Sequence, residues 1–279
     1  MTDREKNPQL YKLQEVNLQM IRLFDAICRE EGLTYYAVGG TLLGAVRHHG
    51  FIPWDDDVDL CMPRPDYQKF VRLGPAWMPA GYRLRTIGLN DEYRTYIAKI
   101  EDLNVSFLRD YYARGGIVQK KINAWIDIMP IDGAPEDEAE LAAHVQRIRR
   151  CKQLLSLSMM DRCMGVHKNR SDKERFVIKA GLATGLYKLV DSKRAYKNLV
   201  KECRRYPYAT APMLGNSYGI YDQKEYVPRA VFGTPIRLAF EDMAIASPAD
   251  PDAYLRHVYG DYMTLPPENE REGHVITFA

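Results

Sequence analysis

The chain has 279 residues, of which 46% are hydrophobic and 27% charged, with a formal net charge of +2. This composition is typical of a globular protein with one large domain, or a core with one sizeable addition. The polar N-terminus is unlike a secretory signal peptide, and no apolar run reaches the roughly 18 residues of a membrane span. Five widely spaced cysteines without a C-x-x-C pair indicate neither a zinc site nor a disulfide framework. We therefore expect a cytoplasmic protein with reduced thiols.

The charges are distributed unevenly along the chain. Residues 144–205 contain 17 Lys and Arg against 5 Asp and Glu, a local balance of +12, which leaves −10 for the remainder. We expect an acidic core and a basic middle segment. That segment either docks on a polyanionic partner, such as the inner face of a membrane, or is a solvated helical bundle whose charge offsets the core.

The predicted elements begin with a helix over 8–32, where apolar residues recur at steps of three and four and Gly32 supplies the C-cap. A strand at LTYYAV follows. Gly39-Gly40 is predicted to end this strand, and a short helix is predicted to start at Thr41. Helices are also predicted at DYQKFVRL, from PEDEAE onward and at DPDAYLRHVYG, and strands at VDLCM, YRLRTI, YIAKIED and KINAWIDIMPI. This order predicts an α/β fold with a mixed sheet and a helical insertion.

Four aspartates, Asp55, Asp56, Asp57 and Asp59, crowd into five residues. Because side chains alternate along a strand, Asp57 and Asp59 are predicted to share one face, about 7 Å apart. Carboxylates in this arrangement can hold divalent cations, and oxygen ligands favour Mg²⁺ or Mn²⁺. Asp55 and Asp56 lie ahead of the strand, where they support the metal ligands or cap the loop.

A third carboxylate is expected from a neighbouring strand. Asp127 lies between Ile126 and Ile128, and an aspartate in an apolar strand is costly unless it is paired or bound to metal. Asp132 is the competing candidate, but its neighbours Pro130 and Gly133 favour a turn.

Gly39, Gly40 and Thr41 lie between a predicted strand and a predicted helix. The backbone there can approach an anion closely, and the helix N-terminus favours negative charge, so we expect a phosphate site. A plain tight turn is the alternative.

These motifs resemble a known family. The stretches GGTLLGAVRHHGFIPWDDDVD and WIDIMPIDG, together with YLRHVYGDYMTLPP and REGHV near the C-terminus, are similar to the LicD family of the nucleotidyltransferase (polymerase-β-like) superfamily, to which fukutin-related proteins are related. The predicted elements divide the chain into a core over 1–135, a basic helical segment over 136–206 that lacks strand signals, and C-terminal strands and a helix over 207–279 that complete the catalytic domain. The resemblance implies that the core is nucleotidyltransferase-like.

The resemblance also implies a reaction. LicD-like proteins transfer a phospho-alcohol group, such as phosphocholine from CDP-choline, to a hydroxyl of a glycan, lipid-linked glycan or teichoic acid precursor, and CMP leaves. Asp57, Asp59 and Asp127 would then hold the metal, and Asp127 is a candidate to accept the proton of the attacking hydroxyl. A nucleic-acid partner is not expected.

Further substrate-binding candidates are less specific. Arg47 would contact phosphate or pair with the aspartates, and Lys99 would reach the site or be solvated. A quaternary ammonium group needs aromatic faces or carboxylates. The aromatic candidates are Trp54, Trp125 and Tyr218, and two residues of the C-terminal motif, Arg271 and His274, are candidates to fold onto the donor.

Two other functions fit the same residues. A nucleotidyltransferase proper would attack an NTP and release pyrophosphate, whereas an inactive member would only bind a glycan or nucleotide. The retained carboxylates argue against an inactive member.

Overall fold

The computed structural model describes residues 7–87, 97–113, 116–160, 171–271 and 277–278. The candidate His274 lies outside the described residues. The helices are α1 Pro8–Glu31, α2 Gly39–His48, α3 Arg64–Leu73, α4 Glu138–Ser158, α5 Asp172–Thr184, α6 Ser192–Cys203, α7 Arg229–Phe232 and α8 Pro251–Tyr259. The strands are β1 Tyr36–Ala37, β2 Asp59–Pro63, β3 Tyr82–Arg85, β4 Ala98–Ala113, β5 Gly116–Ala134, β6 Met213–Gly215, β7 Tyr226–Pro228, β8 Ile236–Phe240, β9 Met243–Ser247 and β10 Thr277–Phe278.

One large mixed sheet organises the core, in the order β1-β2-β5-β4-β10. The central pair β2 and β5 is parallel, and its other neighbours are antiparallel. The two long strands β4 and β5 form a hairpin, β3 extends the sheet along β4, and β6 and β7 continue it from the end of β5. The predicted α/β class with a mixed sheet is confirmed.

Helix α1 covers one face of this sheet, as its periodicity predicts. The Asn7 side chain accepts a hydrogen bond from the Leu10 amide at its start, and Gly32 closes it in the left-handed conformation. Met20, Ile21 and Phe24 are fully buried in the main core. Polar residues of α1 are buried as well, and they bear on the site described below.

The start of α2 differs from the prediction. The helix begins at Gly39 rather than Thr41, so the two glycines form its first turn instead of a break before it. Gly39 has φ +55°, a conformation that L side chains rarely adopt. The strand predicted from LTYYAV shortens to Tyr36–Ala37 for the same reason, because the chain turns into the helix directly after Val38.

Two predictions about the aspartate strands are wrong in detail. Strand β2 begins at Asp59, so Asp57 lies just before the strand and is exposed, although Val58 faces the core as expected. Strand β5 runs on to Ala134, which places Asp132 inside the strand rather than in a turn. The local Pro and Gly signals did not end β5, because β6 pairs with its last residues.

Between residues 138 and 203, the described part of the chain forms helices and a 3₁₀ turn and contains no strand. Buried Ile148, Leu155 and Leu199 join α4 to α6. A smaller cluster ties α5 to the β4 hairpin strand through Tyr112, which packs with Ile178 and Leu182. The division of the chain at 135 and 206 stays a prediction. Of the helices that the structure describes, none has the length and apolarity needed to cross a membrane.

Candidate active site

A row of charged residues crosses three adjacent strands of the sheet. Asp59 of β2 is in register with Asp127 of β5, and Asp127 is in register with Lys99 of β4. Neighbouring strands lie about 4.8 Å apart and residues in register point to the same face, so the three side chains converge. The sequence prediction that Asp59 and Asp127 meet on neighbouring strands agrees with this register.

Lys99 and Trp125 engage the carboxylate of Asp127. The Lys99 Nζ atom lies 2.6 Å from Asp127 Oδ1, and the Trp125 indole N–H donates to Asp127 Oδ2 at 3.3 Å. Lys99 Nζ also lies 4.1 Å from the centroid of the Trp125 ring, within cation–π distance. Of the two alternatives for Lys99, the structure favours the one that reaches the site, since its side chain is only 14% exposed.

Asp59 is held rigidly at the head of β2. Its backbone N–H donates to Thr41 Oγ1 at 2.9 Å, and its carbonyl accepts from the Val38 amide. Burial, followed by the neighbouring carboxylates of Asp57, Asp127 and Asp55, raises the pKa of Asp59 well above its usual value, while Lys99 acts in the opposite direction. Thr41 thus positions a carboxylate, a role that the sequence did not predict.

The two glycines at the start of α2 make room for carboxylates. A Cβ atom at Gly39 would lie 3.2 Å from Asp59 Oδ2, and one at Gly40 only 2.6 Å from Asp55 Oδ2. The positive end of the helix dipole stabilises negative charge at this position. In the structure that charge belongs to the protein's own aspartates, so binding of a donor phosphate at these amides stays a prediction.

Asp55 is a more central residue than the sequence indicated. Burial, with the carboxylates of Asp57 and Asp56, raises its pKa well above the usual value. Two buried amides of α1 fix the loop that carries it: Gln14 donates to the Asp55 carbonyl at 2.8 Å, and Asn17 donates to the Asp56 carbonyl at 3.2 Å. The sequence does place Gln14 and Asn17 on the apolar face of α1, which could have indicated their role. The apolar periodicity of the helix drew attention only to its hydrophobic residues.

The acidic cluster suits a hard divalent cation in its chemistry. It offers only carboxylate oxygens, and burial together with the neighbouring carboxylates raises the pKa of Asp59. Within the described ranges, no three His, Cys, Asp or Glu side chains are already gathered closely enough to hold an ion. Exposed Asp57 and the Lys99–Asp127 ion pair are therefore the parts that would adjust on metal binding.

The charged row continues on to β3. The sequence predicted this strand but not its contacts with the charged residues of β4. Arg85 is in register with Lys99, and Arg83 with Glu101. The Glu101 carboxylate accepts from Arg83 at 2.7 Å and from Arg85 at 2.9 Å. A buried glutamate thus holds two arginines beside the site, and this pairing depends on strand register rather than on any local motif.

Arg47, Arg271 and Trp54 lie near one another. The Arg47 side chain donates to the Tyr262 carbonyl at 2.8 Å and to His48 Nε2 at 3.0 Å, and the Arg271 guanidinium lies 5.5 Å from the centroid of the Trp54 ring. Burial and the nearby Arg271 lower the pKa of Arg47. Among the described residues neither arginine forms an ion pair, so the alternative of Arg47 pairing with the aspartates is not observed.

Tyr218 lies elsewhere. Its hydroxyl is 3.5 Å from Arg64, which donates to Asp132 Oδ1 at 2.7 Å and makes a second bond to Asp132 Oδ2. Asp132 is five residues beyond Asp127 on β5, about 16 Å along the strand. The structure therefore does not bring Tyr218 to the carboxylates, and it gives Asp132 a buried ion pair in place of the predicted turn.

The loop over residues 216–221, which carries Tyr218, contacts α8 through Tyr221, a residue that the sequence analysis did not select. The Tyr221 ring packs edge-on against Tyr259 at 5.4 Å, and the Tyr259 hydroxyl lies 3.8 Å from the Cβ position of Gly39. Lys152 of α4 holds the loop by donating to the carbonyls of Tyr218 and Gly219 at 3.2 and 2.7 Å. Ile220 at its tip is 82% exposed.

Comparison with known proteins agrees with the geometry. The sequence model described as "LicD/FKTN/FKRP, nucleotidyltransferase domain" matches residues 32–126, which include Asp57, Asp59 and Lys99. The lipopolysaccharide cholinephosphotransferase LicD of Haemophilus influenzae is 31% identical over 278 residues, 98% of each chain. The human ribitol 5-phosphate transferase FKRP is 33% identical over 101 residues, 34% of this chain and 20% of the relative. The resemblance seen in the motifs is thus confirmed over nearly the whole length, and the chain belongs to the LicD family.

Proposed function

We propose that the protein is a metal-dependent transferase that moves phosphocholine from CDP-choline to a hydroxyl group of a cell-surface glycan or teichoic acid precursor, and releases CMP. The observation that carries the proposal is the row of Asp59, Asp127 and Lys99 on adjacent strands, within a chain similar over 98% of its length to a lipopolysaccharide cholinephosphotransferase. We further propose that the core has the polymerase-β-like nucleotidyltransferase fold.

The carboxylates of Asp57, Asp59 and Asp127 are the groups that would hold Mg²⁺ or Mn²⁺. When bound, the cation neutralises charge on the pyrophosphate and on the departing CMP. Thr41 and the start of α2 keep Asp59 at a fixed position for this purpose. Asp55 packs against Gly40 at the start of the same helix.

Cationic side chains near the cluster would orient the donor. Lys99 and Arg85 follow Asp127 across the sheet, and Arg47 and Arg271, which lie near each other, are further candidates. Arginine suits phosphate because its planar fork donates two parallel hydrogen bonds. The donor's phosphates would therefore contact Lys99 and Arg85 beside the acidic cluster.

Asp127 Oδ2 is the atom that we assign to the proton of the attacking hydroxyl. Oδ1 faces the Lys99 ammonium at 2.6 Å, which competes with a proton for that oxygen. Oδ2 accepts only the longer bond from Trp125 in the described contacts. Trp125 and Trp54 are also the aromatic faces proposed to contact the quaternary ammonium of choline.

Product analysis tests the proposal. The purified protein, with Mg²⁺ and an acceptor glycan, should release CMP from CDP-choline, and mass spectrometry should show the acceptor heavier by one phosphocholine group. CDP-ribitol and CDP-glycerol serve as parallel donors, because the relatives include a ribitol 5-phosphate transferase.

Each result has a defined meaning. CMP release only from CDP-ribitol would keep the reaction type but change the donor. Pyrophosphate release from CTP, without CMP release from any CDP-alcohol, would make the protein a nucleotidyltransferase proper and overturn the proposal.

A further inference from the structure

Helix α5 buries one side and presents an apolar surface on the other. Ile178 and Leu182 point into the cluster with Tyr112, while Phe176 is 71% and Val177 54% exposed. At 100° per residue, Phe176 lies about 160° around the helix from Ile178 and therefore nearly opposite the buried side. Phe176 and Val177 are thus largely exposed to solvent and lie outside the buried clusters of the described residues.

The 3₁₀ turn Leu186–Leu189 that follows α5 has the same character. Tyr187 points inward to Ile178 and Leu182, whereas Leu186 is 63% and Leu189 82% exposed. In a 3₁₀ turn the side chains at i and i+3 are eclipsed, so the two leucines lie on the same side. The turn thus adds two leucine side chains to the exposed apolar area of this unit.

Exposed cations accompany these apolar side chains. Lys173 and Lys179 lie on α5 within about 60° of Phe176, and Lys188 lies between the two exposed leucines; all three are exposed. Counted over α5, the turn and α6, residues 172–205 contain ten Lys and Arg and four Asp and Glu. We name the set Phe176, Val177, Leu186, Leu189, Lys173, Lys179 and Lys188 the α5 surface.

We propose that the α5 surface docks the protein on an anionic lipid bilayer. Basic side chains around exposed Phe and Leu are the combination that binds the headgroup region, where apolar groups enter the interface and cations remain with the anionic lipids. A soluble polyanion would be bound by the cations alone and would leave Phe176 and Leu189 in water. The charge and the apolar exposure together therefore favour a bilayer.

The docking is peripheral. Helix α5 has 13 residues, which span about 20 Å and fall short of the roughly 30 Å hydrocarbon core. The α5 surface contains none of the residues assigned to the reaction, so docking and transfer can be tested separately.

Vesicle sedimentation of the full chain tests the proposal. We expect binding to vesicles of phosphatidylcholine with 30% phosphatidylglycerol, and at least tenfold weaker partitioning to phosphatidylcholine alone. The variant F176S/K179E should lose about tenfold or more of its partitioning, because one reversed charge and one lost aromatic anchor act on the same surface. Raising the salt from 0.05 to 0.5 M should weaken binding, since the Debye length falls well below 10 Å.

The matched control is L73S/R72E on α3, where an exposed leucine and arginine lie outside the basic segment. This control changes the same net charge and should bind vesicles like the wild type. Circular dichroism and CMP release with a water-soluble acceptor check that F176S/K179E remains folded. Equal loss in both double variants, absence of vesicle binding, or binding to soluble polyphosphate but not to vesicles would each overturn the proposal.

Discussion

Asp59 carries an energetic cost in the metal-free protein. Its pKa is raised above the usual value by burial and by three other carboxylates, so the folded state favours the protonated form. The contribution of Asp59 to stability is therefore greatest at low pH and falls as the pH rises from its unfolded pKa of about 3.8 towards the raised folded pKa.

Asp59→Asn should consequently stabilise the metal-free protein at pH 7, by about 1 kcal/mol or more. Denaturant unfolding in EDTA at pH 5 and pH 7 measures this, and the gain should shrink at the lower pH. Asp56→Asn in the same loop is the control. An Asp59→Asn protein that is less stable at pH 7 than the wild type would show that the carboxylate is compensated after all.

His144 is the second residue with a marked shift. Its ring is fully buried against Tyr206 and Tyr226, and neither nitrogen has a hydrogen-bond partner among the described residues. Burial, with Arg147 nearby, lowers its pKa to about 4. Below pH 6.5 His144 therefore binds a proton in the unfolded chain but stays neutral in the folded protein. Its contribution to stability falls towards pH 4.

His144→Phe should flatten this part of the stability profile, by at most about 1.4 kcal/mol per pH unit for one proton. Unfolding free energies between pH 7 and pH 4.5 provide the measurement. Exposed His257→Phe should leave the profile unchanged. If both variants keep the wild-type slope, other groups account for the acid sensitivity.

The alternation of side chains along strands and the order of the motifs indicated which residues lie in the acidic cluster. They did not indicate which contacts these residues make. Asp59 and Asp127 followed from their places in two apolar strands, and register confirms that they are neighbours. The Lys99–Asp127 ion pair and the Glu101–Arg85 contact depend on which strands are adjacent, and one sequence does not contain that information. The roles of Gln14 and Thr41 were missed because their partners are distant in the sequence. Gln14 donates to the Asp55 carbonyl, and Thr41 accepts from the Asp59 amide.

At the scale of elements, the buried ion pair of Arg64 and Asp132 ties the start of α3 to the end of β5. The two side chains are 7% and 1% exposed. Burial raises the pKa of Asp132, and Arg64 acts against that rise. Such a pair adds little over an apolar contact, but removal of one partner leaves a buried charge.

Asp132→Asn should therefore cost about 3 kcal/mol or more in unfolding free energy. Asp172→Asn, which removes a carboxylate that is 99% exposed and 3.8 Å from Arg175, should cost less than about 1 kcal/mol. Chemical denaturation of both variants supplies the comparison, and similar small losses would mean that water reaches Arg64.

Lys152 connects α4 to the loop over residues 216–221. Lys152→Met removes the donors to the Tyr218 and Gly219 carbonyls while it keeps the aliphatic stem. We expect the loop to loosen and the amides of residues 219–221 to exchange with deuterium faster, because both carbonyls lose their donor. Lys201→Met on α6, at an exposed position, is the control, and unchanged exchange in Lys152→Met would show that Lys152 does not hold the loop.

Elements with their own caps were predicted well, and elements defined by partners were not. Helix α1 ends at Gly32 as the sequence indicated, because an N-cap and a left-handed glycine are local features. Strands β4 and β5 are longer than predicted because they support each other as a hairpin. Helix α2 begins early because Gly39 adopts a positive φ within its first turn.

On the scale of the whole molecule, negative and positive charge are concentrated in different regions of the chain. The acidic cluster lies at the head of the parallel strands β2 and β5, and the excess of positive charge lies in residues 144–205, whose described part is mainly helices α4 to α6. Sequence alone predicted this segregation and the helical nature of the segment. It could not predict which apolar side chains of α5 face outward, since that depends on the packing of α5 against Tyr112.

We propose that Asp57, Asp59 and Asp127 form the catalytic metal site of a phosphocholine transferase. The most direct test is the rate of CMP release from CDP-choline at saturating Mg²⁺ for Asp57→Asn, Asp59→Asn and Asp127→Asn, with Asp56→Asn as the control for lost charge. We predict a loss of at least about a hundredfold in the first three, a barrier increase near 2.7 kcal/mol, and a rate within about tenfold of wild type for Asp56→Asn. If Asp59→Asn and Asp127→Asn remain folded and release CMP within tenfold of the wild-type rate, these carboxylates are not ligands of a catalytic metal.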